Sequence, residues 1–361
     1  MTLAVNEQKG DDMKYHIYYF SATGNTEHSI KMIEESLKKA GHESRTVRIN
    51  RASKPLDEIP DRLVIAFPVL AWRPPAFVSK FMKRLPKTGG DQVAIRAAVL
   101  AVGGGNAMGA PDAAAGILER RGYDVHIKAT SIYADNWLQV SSAPVGEERK
   151  KKNEAGQSAV SDFCKALTED REWTNYQRKP VYTFMNMIGF LFQIYGRRFM
   201  GKMFIADTKC NSCRLCKNSC PVNAIMMAKG KKAIPFWKFS CESCNRCINI
   251  CPQKAINSSV PRVAVLFGLV AAMLALTISL YSRFVRPLYS DLPDVLSVLI
   301  SIIGCTVFIA VSHVLMLLII DPLVLRPLQA IKPVRKFMQL NYSKNFNRYT
   351  FDGYKAPKEQ L

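Results

Sequence analysis

The sequence predicts an α/β protein with a doubly wound parallel sheet, followed by a small α+β domain and two transmembrane helices. Residues 14–172 alternate short apolar runs with helical patterns, and residues 206–258 repeat one cysteine pattern. Two later stretches of 20 and 26 residues contain no Asp, Glu, Lys or Arg. The alternation is typical of a parallel sheet covered by helices, and the uncharged stretches are long enough to cross a bilayer.

Composition limits the class of partner and the compartment. The 361 residues include 50 Lys+Arg, 29 Asp+Glu and ten Cys, for a formal net charge of +21. Such a charge favours nucleic acid or an anionic membrane, but the basic residues are spread along the chain and no nucleic-acid motif is present. We therefore expect a membrane and no nucleic acid. No apolar run typical of a signal peptide precedes Lys14, which predicts a reducing cytoplasmic compartment where clustered cysteines bind metal.

Five apolar runs are the predicted strands of the first domain. They are Tyr15–Phe20, Ser44–Ile49, Leu63–Phe67, Val93–Val102 and Asp124–Tyr133. Each run is followed by a turn and by a polar or periodic stretch that fits a helix, and the last predicted helix covers Glu147–Asp170. We assign residues 13–172 to this domain and residues 1–12 to a flexible lead.

A candidate phosphate site follows the first predicted strand and precedes a helical pattern. It is the hexapeptide Ser21, Ala22, Thr23, Gly24, Asn25 and Thr26. Hydroxyls and free backbone N–H groups at a helix N-terminus bind phosphate, and Gly24 permits close approach. The loop is neither a Walker A motif nor a G-x-G-x-x-G dinucleotide motif. The alternative is an ordinary turn rich in Ser and Thr.

The cysteine pattern C-x2-C-x2-C-x3-C-P occurs twice. Its copies are Cys210, Cys213, Cys216, Cys220, Pro221 and Cys241, Cys244, Cys247, Cys251, Pro252. Three cysteines at this spacing converge on one cubane, and the fourth ligates the other cluster. The pattern predicts two [4Fe–4S] clusters, one held by Cys210, Cys213, Cys216 and Cys251 and the other by Cys241, Cys244, Cys247 and Cys220. The alternative is a pair of four-cysteine zinc sites, which usually combine two C-x2-4-C knuckles.

Both motifs resemble known families. The hexapeptide resembles the flavodoxin phosphate loop S/T-x-T-G-N-T, and the cysteine repeat resembles the bacterial two-cluster ferredoxins. In this order, over residues 13–258, they resemble the flavodoxin–ferredoxin fusion family. The resemblance implies a flavodoxin-like sheet of order 2-1-3-4-5 with FMN at the carboxyl ends of the strands. It also implies that Ser21, Thr23, Asn25 and Thr26, with the backbone of Ala22 and Gly24, hold the FMN phosphate.

Two further loops are expected at the flavin ring. The loop after the third strand contains Pro68 and Trp72, and in many flavodoxins an aromatic residue stacks on the isoalloxazine from this position. The alternative for Trp72 is packing on the domain surface. The loop after the fourth strand offers backbone N–H groups of Gly103, Gly104, Gly105 and Asn106, but it lacks the Tyr that flavodoxins often place there. After the fifth strand, residues 135–137 either cover the flavin or face the cluster domain.

Residues 173–205 form the predicted linker between the two redox domains. The linker contains the charge-free stretch Pro180–Gly196. We predict an amphipathic helix on the membrane surface, with Arg197, Arg198 and Lys202 at the lipid headgroups. The alternatives are a buried helix that packs the two domains together and a helix that spans the membrane.

A predicted transmembrane hairpin at 261–322 comprises helices 263–282 and 295–320. The short connection between them has no net charge, whereas residues 321–361 hold eight Lys+Arg and three Asp+Glu. The positive-inside rule therefore places both termini and both redox domains on the cytoplasmic side of the membrane. The remainder, 323–361, is predicted to be a basic cytoplasmic tail.

The resemblance implies an electron relay. FMN accepts two electrons and releases them singly, and each cubane carries one. We predict a membrane-anchored electron carrier that acts between FMN, two [4Fe–4S] clusters and a redox partner. The basic surroundings of the clusters favour an acidic or membrane-embedded partner. His313 in the second membrane helix is expected either to contact a quinone or to form a helix–helix hydrogen bond. The alternatives are a flavin-dependent reductase of a small substrate fed by the clusters, and an anchoring subunit with an empty flavin site.

Overall fold

A six-stranded parallel sheet in the order β2-β1-β3-β4-β5-β6 organises the N-terminal part of the chain. The computed structural model describes residues 12–88, 94–228, 233–289, 294–315, 318–319, 323, 326–328 and 331–359, so the predicted lead lies outside it except for Asp12. The strands are β1 Lys14–Tyr19, β2 Glu43–Arg48, β3 Arg62–Pro68, β4 Arg96–Gly103, β5 Asp124–Ile132 and β6 Trp173–Thr174. The order 2-1-3-4-5 expected of a flavodoxin-like sheet is confirmed, and β6 extends it by one strand.

Helices cover both faces of this sheet. They are α1 Asn25–Lys39, α2 Ala76–Met82, α3 Ala110–Glu119 and α4 Gly146–Thr168. Helices α1 and α4 share one apolar core with the sheet, and α2 and α3 share the other. The central strands β3 and β4 are buried on both faces, which explains why their sequences read as continuous apolar runs rather than as an alternation.

Strand β6 lies in the segment predicted to be a linker. It pairs with Ile127 and Lys128 of β5, and Asn175 extends the pairing beyond its end. The Asn175 side chain accepts from the Thr130 N–H at 2.9 Å and donates to the Thr130 carbonyl at 2.7 Å, as a strand residue would. Two residues are too few to show a strand periodicity, so the pattern of apolar residues did not predict this element.

The rest of the linker is one helical rod. It consists of α5 Pro180–Leu191, a π-helical turn Phe192–Gly196 and α6 Arg197–Lys202. One face contacts the first domain, where Asn186 donates to the Gly109 carbonyl at 3.3 Å and Gln193 to the Pro74 carbonyl. The opposite face of α5 exposes a set of large apolar side chains, namely Val181, Phe184, Met187, Phe190 and Leu191. The rod therefore combines interdomain packing with an exposed apolar face.

The prediction that Arg197 and Lys202 lie at lipid headgroups is wrong. Both side chains are buried. Arg197 pairs with the buried Glu242 at 3.0 Å, and the Lys202 ammonium donates to the Trp237 carbonyl at 3.1 Å. Buried charges need such partners, and both belong to the unit that contains the cysteine repeat, residues 204–258, which we call the cluster unit.

The cluster unit is a pseudo-symmetric pair of half-motifs. Strand β7 Phe204–Ala206 pairs antiparallel with β10 Ile256–Ser258, and β8 Ile225–Met227 pairs with β9 Pro235–Trp237. The short helices α7 Leu215–Asn218 and α8 Arg246–Asn249 occupy equivalent places. Positive φ angles recur at non-glycine residues that occupy matching positions of the two halves, namely Ser212 and Ser243, Arg214 and Asn245, and Asn223 and Lys254. The sequence repeat is therefore also a repeat of backbone conformation.

In the described part of the chain, one helix, Val260–Leu288, is long and apolar enough to cross a membrane, and it includes α9 Val260–Leu280. A shorter apolar helix, Val295–Val311, lies within α10 Asp294–Leu315. Two spanning helices were predicted, but part of 295–320 and the His313 side chain fall outside the described residues. The hydroxyls of Tyr281 and Ser301, one from each helix, are 2.8 Å apart.

The C-terminal segment returns to the cluster unit instead of ending as a free tail. Ser259 forms a β-bridge with Asn341, and the Ser258 N–H donates to the Ser343 hydroxyl at 2.9 Å. The chain therefore leaves and re-enters the cluster unit at adjacent points. We call residues 341–359 the C-terminal strap. It runs along the seam between the sheet domain and the cluster unit, and Tyr349 in its middle is buried.

Candidate functional site

A cavity of about 450 Å³ lies at the carboxyl ends of β1, β3, β4 and β5. Eleven of the twelve residues predicted to bind the flavin line this cavity, namely Ser21, Ala22, Thr23, Asn25, Thr26, Pro68, Trp72, Gly103, Gly104, Gly105 and Asn106. Strand order reverses between β1 and β3, so this edge is the topological switch point at which open α/β sheets bind ligands.

The candidate phosphate loop is held in shape by its own side chains and by the loop after β5. The Gly24 N–H donates to the Ser21 hydroxyl at 3.1 Å, and Asn136 donates to the Thr23 hydroxyl. The Asn25 amide donates to the Ala134 carbonyl at 3.3 Å. Helix α1 begins directly after Gly24. Polar side chains and a helix N-terminus at one end of the cavity fit a phosphate group.

Gly24 is the predicted site residue that does not line the cavity. Its φ of +110° is in the left-handed region, and it faces the C-terminal strap. A Cβ at this position would lie 2.7 Å from Cβ of Phe351 and 2.8 Å from Cβ of Tyr354. Glycine is therefore required here both by the backbone conformation and by the close approach of the strap.

The opposite part of the cavity is lined by aromatic side chains and glycine backbone. Trp72 follows Ala71 in a turn where both residues have positive φ, and Trp137 lines the cavity as well. A Cβ on Gly104 would lie 2.6 Å from Asp135 Oδ1, so this glycine allows the loop after β5 to approach. An apolar chamber of this kind fits the isoalloxazine ring.

Residues 135–137 combine the two roles considered for them, which are covering the candidate flavin site and facing the cluster unit. All three residues line the cavity. The carbonyl of Asn136 also accepts from the Asn249 amide of the cluster unit at 2.9 Å. This loop therefore covers the candidate flavin site and contacts the cluster unit.

Five lining residues were missed because they come from elements distant in sequence. They are Ile188 and Phe192 of the linker helix, and Ser243, Cys244 and Asn245 of the cluster unit. Nothing in the local sequence signals that these side chains reach the flavin cavity. Cys244 was predicted only as a cluster ligand, yet it borders both the flavin cavity and a cavity formed by cysteines.

The eight repeat cysteines gather around two small cavities. Cys210, Cys213, Cys216 and Cys251 line the first cavity, and Cys220, Cys241, Cys244 and Cys247 line the second, which Cys216 also borders. The fourth cysteine of each sequence copy thus lies with the first three of the other copy. This is the crossed arrangement that two cubanes would require.

The chemistry of this donor set fits iron–sulfur clusters. Backbone N–H groups of Ala224 and Ala255 donate to Sγ of Cys220 and Cys251 at 3.2 and 3.3 Å. Burial raises the pKa of the Cys244 thiol to about 11, so a thiolate at this position needs a positive centre such as iron beside it. Among the described residues, no three His, Cys, Asp or Glu side chains come close enough together to hold a single metal ion. A cubane instead takes each thiolate on a separate iron.

Arg246 connects the two sites. Its buried guanidinium donates to the carbonyls of Ser21 and Ala22 at 2.5 and 3.1 Å, and to the carbonyl of Ser219 at 2.7 Å. Ser21 and Ala22 belong to the phosphate loop, and Ser219 precedes Cys220. The loop and the second cysteine cavity are therefore held at a fixed separation by one side chain.

Comparisons with known proteins give one family match and several structural alignments. Residues 209–256 match the family model described as a 4Fe-4S dicluster domain. Comparison with curated proteins gives no match. The flavodoxin of Megasphaera elsdenii aligns at 23% identity and a TM-score of 0.26, covering 41% of this chain and 98% of that protein. The Streptococcus pneumonia TIGR4 flavodoxin aligns at 14% identity and a TM-score of 0.29, covering 42% of this chain and 99% of that protein.

A third solved structure, the rubredoxin oxygen:oxidoreductase of Desulfovibrio gigas, aligns at 12% identity and a TM-score of 0.27, covering 42% of this chain and 36% of that protein. These TM-scores are low, so the flavodoxin-like assignment rests on the observed strand order and its switch point. The chain combines a flavodoxin-like sheet domain with a 4Fe–4S dicluster segment, and its residues fit FMN and iron–sulfur clusters as cofactors.

Proposed function

We propose that this chain is a membrane-anchored electron carrier that relays electrons between FMN, two [4Fe–4S] clusters and a redox partner. One observation carries the proposal: Cys244 lines both the flavin cavity and the second cysteine cavity. A cluster ligand in the wall of a flavin site gives the electron a direct route between the two cofactors. When bound, FMN supplies two-electron chemistry and each cubane one-electron chemistry.

The residues of this chain would bind and orient the cofactors. Ser21, Thr23, Asn25 and Thr26 would hold the FMN phosphate, and Trp72 would stack on the ring, with the backbone of residues 103–106 near its polar edge. One cluster would be held by Cys210, Cys213, Cys216 and Cys251, and the other by Cys241, Cys244, Cys247 and Cys220. In the second group Cys220, Cys241 and Cys247 are buried, which would shield that cluster from water.

The first cluster would be the port to the redox partner. Cys213 is exposed, as are the neighbouring cations Lys209, Arg214 and Lys217. The two acidic residues among residues 201–260, Asp207 and Glu242, are buried and contact Asn257 and Arg197. The surface beside the first cluster is therefore positively charged, which favours an acidic partner.

A membrane hairpin is supported by the path of the chain. Residues 259 and 341 are bridged, so the intervening segment leaves and returns at one place. A segment with this geometry crosses a bilayer an even number of times, and two crossings would use α9 and α10. The exposed apolar face of α5 would rest on the same membrane, because Phe199 of the linker rod contacts Phe267 of α9 with ring centroids 5.3 Å apart.

The flavin cavity argues against a reductase with its own acid–base group. Among the described lining residues, Asp135 is the one carboxylate. Its Oδ1 accepts from the N–H groups of Asn136 and Trp137 at 2.7 and 3.1 Å. This carboxylate is therefore used to shape the loop, and it has no evident role in proton transfer.

The proposal is tested by counting cofactors in the detergent-purified full chain and following their reduction. We expect about eight iron atoms, about eight sulfides and one FMN per chain. Stopped-flow reduction should show the flavin and cluster bands changing in a coupled sequence. Zinc in place of iron, or absence of flavin, would overturn the relay. Flavin and clusters that are reduced independently would overturn the direct route through Cys244.

A further inference from the structure

We propose that the C-terminal strap, residues 341–359, controls how tightly the chain holds FMN, with Tyr349 as the positioning residue for the phosphate loop. The inference rests on the proposed flavin site and adds a determinant outside the flavodoxin-like domain. The strap follows the membrane helices in sequence, about 320 residues after the loop it contacts. Its contacts with the loop are specific hydrogen bonds and close packing.

Both ends of the strap are fixed. At its start, Asn341 bridges Ser259, and the Ser343 hydroxyl accepts from the Ser258 N–H. At its end, the Glu359 carboxylate accepts from Arg246 at 2.7 Å, and the Glu359 N–H donates to the Asn218 carbonyl at 2.8 Å. The segment between these anchors is held against the protein rather than hanging free in solvent.

The middle of the strap contacts three residues of the phosphate loop. The Tyr349 hydroxyl donates to Asn25 Oδ1 at 2.7 Å, the nearer of its two acceptors, since Asn153 Oδ1 lies at 3.1 Å. The Phe351 N–H donates to the Thr23 carbonyl at 2.8 Å, and the Tyr354 hydroxyl to the Ala22 carbonyl at 3.2 Å. These bonds hold carbonyl and side-chain oxygens of the loop on the side of the strap.

This arrangement orients the groups that a phosphate needs. In a trans peptide the N–H points opposite to the carbonyl. Holding the Ala22 carbonyl towards the strap therefore turns the Thr23 N–H away from it. The Asn25 amide is bound at both ends, since Oδ1 accepts from Tyr349 while Nδ2 donates to Ala134. A preorganised loop loses less entropy when it binds a ligand.

Packing leaves the loop no room to relax outwards. Phe351 stacks on His28 of α1 with ring centroids 4.1 Å apart and planes at 21°. Gly24 is so close to Phe351 and Tyr354 that a Cβ there would overlap them. Widening of the loop, and with it release of the phosphate, therefore requires the strap to lift.

The test compares Tyr349→Phe with Tyr342→Phe in the deflavinated full chain. Tyr342 belongs to the same strap, but its hydroxyl donates to the Gln139 carbonyl, away from the loop. Dissociation constants are measured for FMN and for riboflavin, which lacks the phosphate. We expect Tyr349→Phe to raise the dissociation constant for FMN about 2- to 12-fold, as for the loss of one hydrogen bond, and to leave the dissociation constant for riboflavin unchanged. Tyr342→Phe should change neither dissociation constant.

The possible outcomes separate the strap from the proposed flavin site. A parent chain that binds no FMN overturns the proposed function and, with it, the role of the strap. If the parent chain and Tyr349→Phe bind FMN with the same dissociation constant, the role of the strap is overturned and the proposed function is not. Equal weakening of FMN and riboflavin would indicate a general loss of structure and would also overturn it. Tyr354→Phe provides a second variant, for which we expect the same phosphate-dependent loss.

Discussion

The guanidinium of Arg246 and the carboxylate of Glu359 meet at 2.7 Å, and 2% and 4% of their side-chain surfaces are exposed. Arg246 also holds backbone carbonyls of the phosphate loop and of Ser219. One buried pair therefore joins three parts of the chain: the candidate phosphate loop, the cluster unit and the C-terminal strap. Removal of either partner would leave a buried charge without its counter-charge.

Replacing Glu359 by Gln should therefore destabilise the redox domains strongly. Loss of one partner of a buried ion pair costs about 3–5 kcal/mol. Urea unfolding followed by flavin and cluster absorbance should show the loss. The control is Glu58→Gln, because Glu58 pairs with Lys14 at 2.6 Å but is half exposed and should matter little. Similar midpoints for both variants would contradict the structural role of the buried pair.

The crossed arrangement of the cysteines predicts an unusual pairing of variants. Cys220→Ala should remove the cluster that Cys241 also ligates, although the two residues belong to different sequence copies. The residual electron paramagnetic resonance spectrum of Cys220→Ala should match that of Cys241→Ala and differ from that of Cys210→Ala. About half of the iron should remain in each. A match between Cys220→Ala and Cys210→Ala would instead indicate that each sequence copy holds its own cluster.

Trp72 is expected to contribute to flavin affinity by stacking. Aromatic pairs contribute about 0.5–1.5 kcal/mol beyond the area that they bury, so Trp72→Ala should weaken both FMN and riboflavin at least severalfold. Trp72→Phe should restore most of the affinity. Trp173, which lies in β6 outside the cavity, provides the control Trp173→Phe. Riboflavin binding that is unchanged in Trp72→Ala would remove the assigned contact.

Local patterns predicted the strands and three of the four cysteines in each group, because these depend on residues close in sequence. Apolar runs that alternate with helical patterns predict parallel strands, and a spacing of two residues between cysteines predicts three ligands of each cluster. The sheet order and the fourth ligand followed from the resemblance to flavodoxins and two-cluster ferredoxins. The strap, the role of Arg246 and the contribution of Ile188 to the flavin cavity depend on contacts between distant segments. A sequence pattern carries no record of such contacts. The burial of Lys202 was mispredicted for the same reason, since its partner carbonyl belongs to Trp237.

Ionisation of the Asp170 carboxyl should make the free energy of unfolding depend on pH in the acid range. Arg62 and Arg96 both contact its Oδ2, at 2.7 and 2.6 Å. Burial raises the pKa of this carboxyl, but the hydrogen bonds from Arg62 and Arg96 outweigh burial and hold the pKa below its ordinary value. The stabilisation is therefore complete above the unfolded-state pKa of about 3.9 and is lost as the pH falls through the lower folded-state value.

The variant Asp170→Asn tests the direction of this pKa shift. At pH 7 the variant should unfold at lower urea concentration than the parent chain. The difference between the two should stay constant from neutral pH down to about pH 5 and shrink below about pH 4, where the parent carboxyl also becomes neutral. A difference that grows on acidification would contradict the assigned direction of the pKa shift.

The basic surface beside Cys213 should control the rate of electron exchange with an acidic partner. Lys209, Arg214 and Lys217 are exposed around this cysteine, and long-range attraction between opposite charges raises association rates at low salt. Lys217→Glu should slow the second-order reduction of an acidic acceptor protein by about tenfold at low ionic strength. The difference from the parent chain should shrink as salt is added, because the Debye length falls to about 8 Å at 0.15 M.

The matched control is Lys39→Glu, which makes the same charge change at the exposed C-terminal end of α1, away from the cysteines. Both variants alter the net charge equally, so a general effect of charge would slow them alike. A local docking surface at the first cluster would slow Lys217→Glu alone and weaken its salt dependence. The first-order transfer between flavin and clusters within the chain should be the same in both variants, because neither substitution touches the wall that contains Cys244.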